Sequence, residues 1–454
     1  MQRELFFRHA LLPSGWARDV QMSVTGGTIR SVTEGAKGEG TERIAGIAIP
    51  GVPNLHCHAF QRGMAGRAER RGSGTDSFWT WREVMYRFLD RLSPDDVQAI
   101  TAFAYMQILE AGFTTVGEFH YLHHNIDGRP YADLGEMAAR IATASAETRI
   151  GLTLLPSFYA YGGFGGTPPT MPQRRFLNDP DRFLRLVERT REITAGLPDA
   201  QVGIAPHSLR AVTPEALRIV CQATHDGPIH IHAAEQKNEV AESLAALGRR
   251  PVEWLLDNAD VNSRWCLVHA THATEAEIRA LAMSGAVVGL CPITEASLGD
   301  GVFDGADYLA AGGRFGVGTD SNIQIDAAAE LRQLEYEQRL ARGARNVMTM
   351  QEGESTGRRL FASALAGGAQ ALRQPIGSLA AGLRADIVVL DESHPDLASR
   401  YGDEWLDAWT FVAGRTAVKT VLVGGEIVVE AGRHRMWPAI EERYKVVIAN
   451  LFTE

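Results

Sequence analysis

The sequence predicts an α/β protein: a (β/α)8 TIM-like barrel carrying a small β-sandwich domain formed by the N- and C-terminal segments. Three observations predict it. The middle of the 454-residue chain alternates short apolar runs with longer stretches of helical periodicity, the mark of parallel β/α units. Both ends instead hold short strand-like runs joined at Gly26-Gly27 and Gly424-Gly425, a hairpin signal. Histidines recur where the central apolar runs stop, and C-terminal strand ends of a barrel converge on one face.

Taken in order, residues 1–47 read as strands over Leu5-Phe6-Phe7, Val20 to Val24 and Thr28 to Val32, too little to enclose a core alone. Residues 377–454 have the same character at Ala385 to Leu390, Val418 to Val423 and Glu426 to Val429. Each segment is expected to complete the other when the chain returns. Residues 48–376 form the expected barrel, with eight strands: Ile44–Leu55, Thr114–Phe119, Ile150–Pro156, Gln201–Pro206, Pro228–Ala233, Arg264–His269, Ala286–Leu290 and Arg314–Thr319. Helices are expected between them, among others over Asp95–Glu110, Asp181–Ala195, Pro214–His225, Asn238–Leu247, Thr274–Ser284 and Ala327–Arg342. The longest insertion, Ala59 to Leu92, holds the aromatic cluster Phe78-Trp79-Thr80-Trp81-Arg82-Glu83-Val84-Met85-Tyr86. A Gly-rich loop, Tyr159 to Thr170, follows the third strand. Long loops on one rim are where binding residues concentrate.

Composition narrows the function classes. The net charge is −10 and the pI about 5.8, which disfavours nucleic acid and anionic membrane surfaces as partners. An anionic small substrate would need locally placed arginines. No apolar run approaches the ~20 residues of a membrane span, and Met1-Gln2-Arg3-Glu4 does not open a signal peptide. The four cysteines, Cys57, Cys221, Cys266 and Cys291, are scattered in or near apolar runs, so buried thiols in a reducing, cytoplasmic compartment are expected.

The chemistry centres on Pro50-Gly51-Val52-Pro53-Asn54-Leu55-His56-Cys57-His58. On a strand, His56 and His58 point to one side and Cys57 to the other, giving half a site for a divalent transition metal. Of fourteen histidines, at least one falls at five of the eight expected strand ends. The fifth strand offers His230 and His232 on the same side; either could bind, and His232 lies nearer the rim. The eighth ends at Asp320, whose carboxylate can complete a three-His, one-Asp shell; capping the next helix is its plainer role. After the fourth strand stands His207-Ser208-Leu209-Arg210 rather than a bridging Lys or Glu, so one metal ion per chain, with zinc preferred, is expected. Glu235, three residues beyond His232, can act as general acid/base, though a solvated charge at a helix start would look the same. His269 can hydrogen-bond a metal-bound water beside Asp320, or be a core histidine. A metal lowers the pKa of such a water toward neutrality. His120, His123 and His124 form a rival cluster, read mostly as loop, with Tyr121 facing the pocket.

These residues carry a resemblance. Pro50-Gly51, His56-Cys57-His58, His232-Ala233-Ala234-Glu235, His269, Gly318-Thr319-Asp320-Ser321 and Gly377 to Asp386 together resemble the amidohydrolase superfamily, in its deaminase branch. Within it, His58-Ala59-Phe60-Gln61-Arg62, Ser77 to Tyr86, Gly117 to Tyr121 and Cys291-Pro292-Ile293-Thr294-Glu295-Ala296 resemble the formimidoylglutamate deiminases of histidine degradation. Nucleoside-type members usually carry Ser-Asn where this chain has Thr294-Glu295, which counts against a purine. The resemblance implies His56, His58, His232 and Asp320 as metal ligands and Glu235 as proton donor to the departing nitrogen. It implies Asp320 and His269 as the shuttle for the water's proton, and His207 as the group that orients or polarises the substrate. For the substrate carboxylates it implies Gln61, Arg82, Tyr121 and Arg210, arginine being suited to bidentate recognition. A helix-surface charge is the plainer reading of Arg82, a structural ion pair that of Arg210. The resemblance further implies a homodimer. The competing readings are a deaminase of a purine or pyrimidine derivative, and a silent relative, which would have lost ligands that are all present here.

Overall fold

The computed structural model describes residues 2–72 and 74–453. Met1 and Glu454, the outermost residues of the two expected sandwich segments, and Ser73 in the long insertion lie outside the described residues. Seventeen strands occur among these residues. The first four are β1 (Gln2–Leu12), β2 (Gly15–Thr25), β3 (Thr28–Thr33) and β4 (Glu42–Pro50). Nine more follow: β5 (Val52–Cys57), β6 (Phe113–His120), β7 (Gly151–Phe158), β8 (Gln201–Val202), β9 (Ala205–Pro206), β10 (Ile229–Ala233), β11 (Trp265–His269), β12 (Val287–Leu290) and β13 (Arg314–Val317). The last four are β14 (Ile387–Leu390), β15 (Val418–Val423), β16 (Glu426–Glu430) and β17 (Arg433–His434).

Strands from the two chain ends form one eight-stranded sheet, ordered β17-β16-β15-β14-β4-β1-β2-β3. The join is β4, parallel to β1 and antiparallel to β14. Leu5, Phe7, Val20, Met22, Ile29, Ile387, Val389 and Leu422 bury against one another in a core of their own. Alternation along β2, where Val20, Met22 and Val24 are buried between more exposed neighbours, is the period-2 signature of a strand with one packed face.

Parallel strands β5-β6-β7-β8 and β10-β11-β12-β13 make the two arcs of the barrel. Backbone bridges Ile204↔Ile229 and Ser208↔His232 close one gap, and Cys57↔Asp320 closes the other. The barrel strands are buried almost throughout, as parallel strands walled by helices should be.

Three expectations change. The apolar run Ile44–Leu55 is not one strand: it turns at Gly51, so β4 joins the sheet while β5 starts the barrel. A Cβ on Gly51 would lie 2.2 Å from the Thr114 side chain, so only glycine lets the chain pass there. The expected fourth strand divides into β8 and β9 at Gly203, which lies against the backbone of Pro228. In the tail, Trp437–Phe452 is a helix lying on the barrel helix Pro94–Glu110, with Tyr444 stacked on Phe103 at 3.8 Å. The insertion after β5 also folds into a helix, Phe78–Leu89. Among the described residues no helix is long and apolar enough to cross a membrane.

Candidate metal centre and active site

The C-terminal ends of β5, β10 and β13 bring His56, His58, His232 and Asp320 together. His56 Nε2 stands 3.2 Å from His232 Nε2. Asp320 Oδ1 stands 3.6 Å from His56 Nε2 and 3.4 Å from His58 Nε2. A tetrahedral ion with arms of ~2.0–2.1 Å separates its ligand atoms by about 3.3 Å, so this spacing fits one. Burial holds the His56 imidazole down to about 3 and lowers His58 and His232. The rings are therefore neutral, the ligating form. Burial alone would raise the Asp320 carboxyl, but the surrounding imidazoles, His56 foremost, hold it below the ordinary carboxylate range. Two rings are fixed from behind: Phe119 O lies 2.7 Å from His58 Nδ1, and His207 O 2.9 Å from His232 Nδ1. Such backing orients a metal-binding imidazole. His230 faces elsewhere, its Nε2 2.9 Å from Ala371 O.

Asp320 reaches the centre because Gly318 lets β13 close on β5; a Cβ on Gly318 would lie 2.6 Å from His56 O. The main chain then pairs both ways, Asp320 N with His56 O at 3.0 Å and His58 N with Asp320 O at 2.9 Å. Asn54 and Asn322 lock the join: Asn54 Nδ2 donates to Thr319 Oγ1 at 2.8 Å, and Asn322 Nδ2 to His58 O at 3.0 Å. Asp320 is not a helix cap, since Asp326 caps the helix Ala327–Arg342.

Glu235 and His269 flank the same centre. His269 Nε2 lies 3.7 Å from Glu235 Oε1 and 3.8 Å from Asp320 Oδ2. Burial raises the Glu235 carboxyl, against the pull of His269 and Arg210. Burial would lower His269, yet Glu235, Glu295 and Asp320 together push it up to about 10. His207 packs 4.9 Å from His232, centroid to centroid. Sequence reasoning gave no role to Glu295, whose Oε1 sits 3.0 Å from His269 Nδ1, nor to Phe119, whose ring lies 4.4 Å from that of His232. The signal for Glu295 was a carboxylate five residues past the strand end at Leu290.

A cavity of about 50 Å3 opens over this cluster, lined by Gln61, Arg82, Tyr121, His207, Arg210 and Glu235 with Phe78, Trp81, Met85, Tyr86, Tyr159, Phe176 and Leu298. Gln61 donates to Tyr121 OH at 2.8 Å. The Arg210 guanidinium is buried, 3.8 Å from Glu235 Oε2, and its Nε and Nη2 have no hydrogen-bond partner. Arg82 lies 4.4 Å over the Trp79 ring. His120, His123 and His124 do not line the cavity; His123 and His124 turn to the carbonyls of Ser157 and Leu177. A larger space of about 460 Å3 lies at the opposite barrel end, around Gly151, Arg149 and Arg384. It holds none of these groups, and its arginines are paired with Glu426 and Asp386.

The profile of the amidohydrolase family matches residues 47–428. The chain belongs to the amidohydrolase family. A second profile, "Formimidoylglutamate deiminase HutF, N-terminal domain", matches residues 2–46 of this amidohydrolase. Formimidoylglutamate deiminase of Pseudomonas aeruginosa is 51% identical over 95% of each chain. A 5-methylthioadenosine/S-adenosylhomocysteine deaminase of Natronomonas pharaonis is 27% identical over 91% of this chain and 88% of its own. Among solved structures, an amidohydrolase of Brucella melitensis is 50% identical over the whole of both chains, with a TM-score of 0.95.

Proposed function

We propose that this amidohydrolase hydrolyses N-formimino-L-glutamate to N-formyl-L-glutamate and ammonia, a step of histidine degradation. The observation that carries the reading is the buried Arg210 guanidinium beside Glu235, two of its nitrogens without a partner. A desolvated guanidinium with two nitrogens free of hydrogen bonds, facing a hydrolytic site, calls for an anionic substrate. Arg82, Gln61 and Tyr121 line the same space and complete a cradle for two carboxylates. The 51% identity with the Pseudomonas aeruginosa formimidoylglutamate deiminase and the matching N-terminal profile support the same substrate.

His56, His58, His232 and Asp320 would hold one divalent ion, zinc by preference for this nitrogen-rich donor set. Bound there, the ion supplies a water acidic enough to lose a proton near neutral pH. Asp320 would take up that proton and, with His269, shuttle it toward Glu235. His207 polarises the formimino group. A carbon–oxygen bond forms from water, the bond to the terminal nitrogen breaks, and Glu235 gives that nitrogen the proton with which it leaves as ammonia. A raised carboxyl suits Glu235 to this donation. The enzyme works as a homodimer in the cytoplasm, a reducing compartment suited to its four free cysteines.

Ammonia release from N-formimino-L-glutamate, N-formimino-L-aspartate, guanine and adenosine tests the reading. Turnover is expected with the formimino acids, the glutamate foremost. Preference for guanine or adenosine would replace this function with ring deamination.

A further inference from the structure

Thr294 and Glu295 stand where nucleoside-type relatives carry Ser-Asn, and the chemistry proposed above gives neither a role. Both are buried in the helix Pro292–Leu298, which begins directly after β12. Glu295 Oε1 meets His269 Nδ1 at 3.0 Å and accepts from Cys291 N at 2.9 Å. Two donors on one oxygen pin the carboxylate. Because a carboxylate only accepts, Nδ1 of His269 must carry a proton. That leaves Nε2, buried without a partner, as the nitrogen facing Glu235 and Asp320. Thr294 brackets Asp320 from both sides. Its hydroxyl donates to Thr319 O at 3.2 Å, lies 3.0 Å from Ser321 Oγ, and accepts from Ser321 N at 3.3 Å.

We propose that Thr294 and Glu295 form one positioning unit, which holds Nδ1 of His269 as a donor, aims the ring, and fixes the loop that carries Asp320. Neither touches substrate; each acts through its neighbour. The inference deepens the proposed hydrolysis and rests on it for its kinetic consequences. One structural consequence does not depend on substrate. The ring of His269 should carry a proton on Nδ1 whether or not the protein turns anything over.

The test joins kinetics with spectroscopy on the zinc-loaded, full-length protein. With 15N-histidine labelling, the His269 resonances, assigned by their loss in His269→Asn, should report a protonated Nδ1. In Glu295→Gln the signature should change while one metal per chain is retained. The kcat for ammonia release should fall about 100-fold or more, as when a histidine's orienting carboxylate is replaced. KM should stay within about threefold, because the substrate's own contacts are untouched. Thr294→Val should lose about tenfold in kcat, and Thr294→Ser, which keeps the hydroxyl, should recover it. Should Glu295→Gln not fold, Glu295→Asp, which keeps an acceptor, takes its place with an intermediate loss expected.

Wild-type kcat in Glu295→Gln, or an unchanged His269 spectrum, would overturn the proposal. So would a second equivalent of zinc lost with Glu295, since His269, Cys291 and Glu295 present ligand atoms within 4.8 Å of one another. Absence of ammonia release by the wild type would overturn the substrate instead, and the spectrum would still decide the positioning.

Discussion

His269 and Asp320 both sit at positive φ, 71° and 42°, a conformation costing non-glycine residues about 1–3 kcal/mol each. The surrounding hydrogen bonds over-determine both turns, so the strain serves aim. Glu235, near both, is proposed to move a proton without ligating. Glu235→Gln should therefore keep its metal by elemental analysis and lose at least about 10²–10⁴-fold in kcat; metal loss would make Glu235 a ligand. Glu118 shows the opposite use of a buried acid. It accepts from Ala59 N at 2.9 Å and Tyr105 OH at 3.1 Å, and burial raises it to about 7. A folded-state value above the unfolded one means the folded protein binds the extra proton. Stability is thus fully present below about pH 4.5 and drains away as pH rises toward 7. Glu118→Gln should flatten that slope in urea unfolding, by up to about 1.4 kcal/mol per pH unit. An unchanged slope would mean that Glu118 is ionised throughout.

At the scale of elements, the helix Phe78–Leu89 carries Arg82 to the cavity and stacks it on Trp79 at 4.4 Å and near Tyr86 at 5.5 Å. Arg210 approaches the same Trp79 ring at 5.5 Å. The two arginines are not equivalent probes. Arg210 also faces Glu235 and helps hold its carboxyl down, so its removal would disturb proton transfer as well as binding. Arg82→Met is the cleaner test, expected to lower kcat/KM for the dicarboxylate roughly 10- to 1000-fold, mostly in KM. It should change little with a neutral formamidine; equal losses would show that Arg82 supports the fold instead. Such elements were legible to different degrees. Short apolar runs marked six barrel strands within a few residues, because burial on both faces leaves an unbroken apolar signature. The run Ile44–Leu55 concealed a turn, since the break at Gly51 depends on Thr114, about sixty positions away along the chain. The pairing of Glu295 with His269 was equally invisible, being set by how neighbouring strands register.

The molecule as a whole depends on joining a sheet made from both chain ends to the barrel they enclose. The join is polar. Arg384 is buried and donates to Asp386 Oδ1 at 2.9 Å and Gln374 Oε1 at 2.7 Å, and also to Thr115 Oγ1 of β6. Asp386 in turn accepts from Gly424 N, at the turn between β15 and β16, at 3.0 Å, and Gln374 donates to Leu152 O of β7 at 3.0 Å. One ion pair therefore spans both layers, and each charge is affordable only because the other is present. Arg384→Met should leave Asp386 buried and unpaired, costing about 3–5 kcal/mol in equilibrium unfolding. Adding Asp386→Asn removes the stranded charge, so the double variant should be more stable than Arg384→Met alone. That sign separates an electrostatic join from simple loss of packing. If the double variant were less stable than either single one, the contacts of Asp386 with Gly424 and Thr115 would hold the layers together, and Arg384 would only fill space.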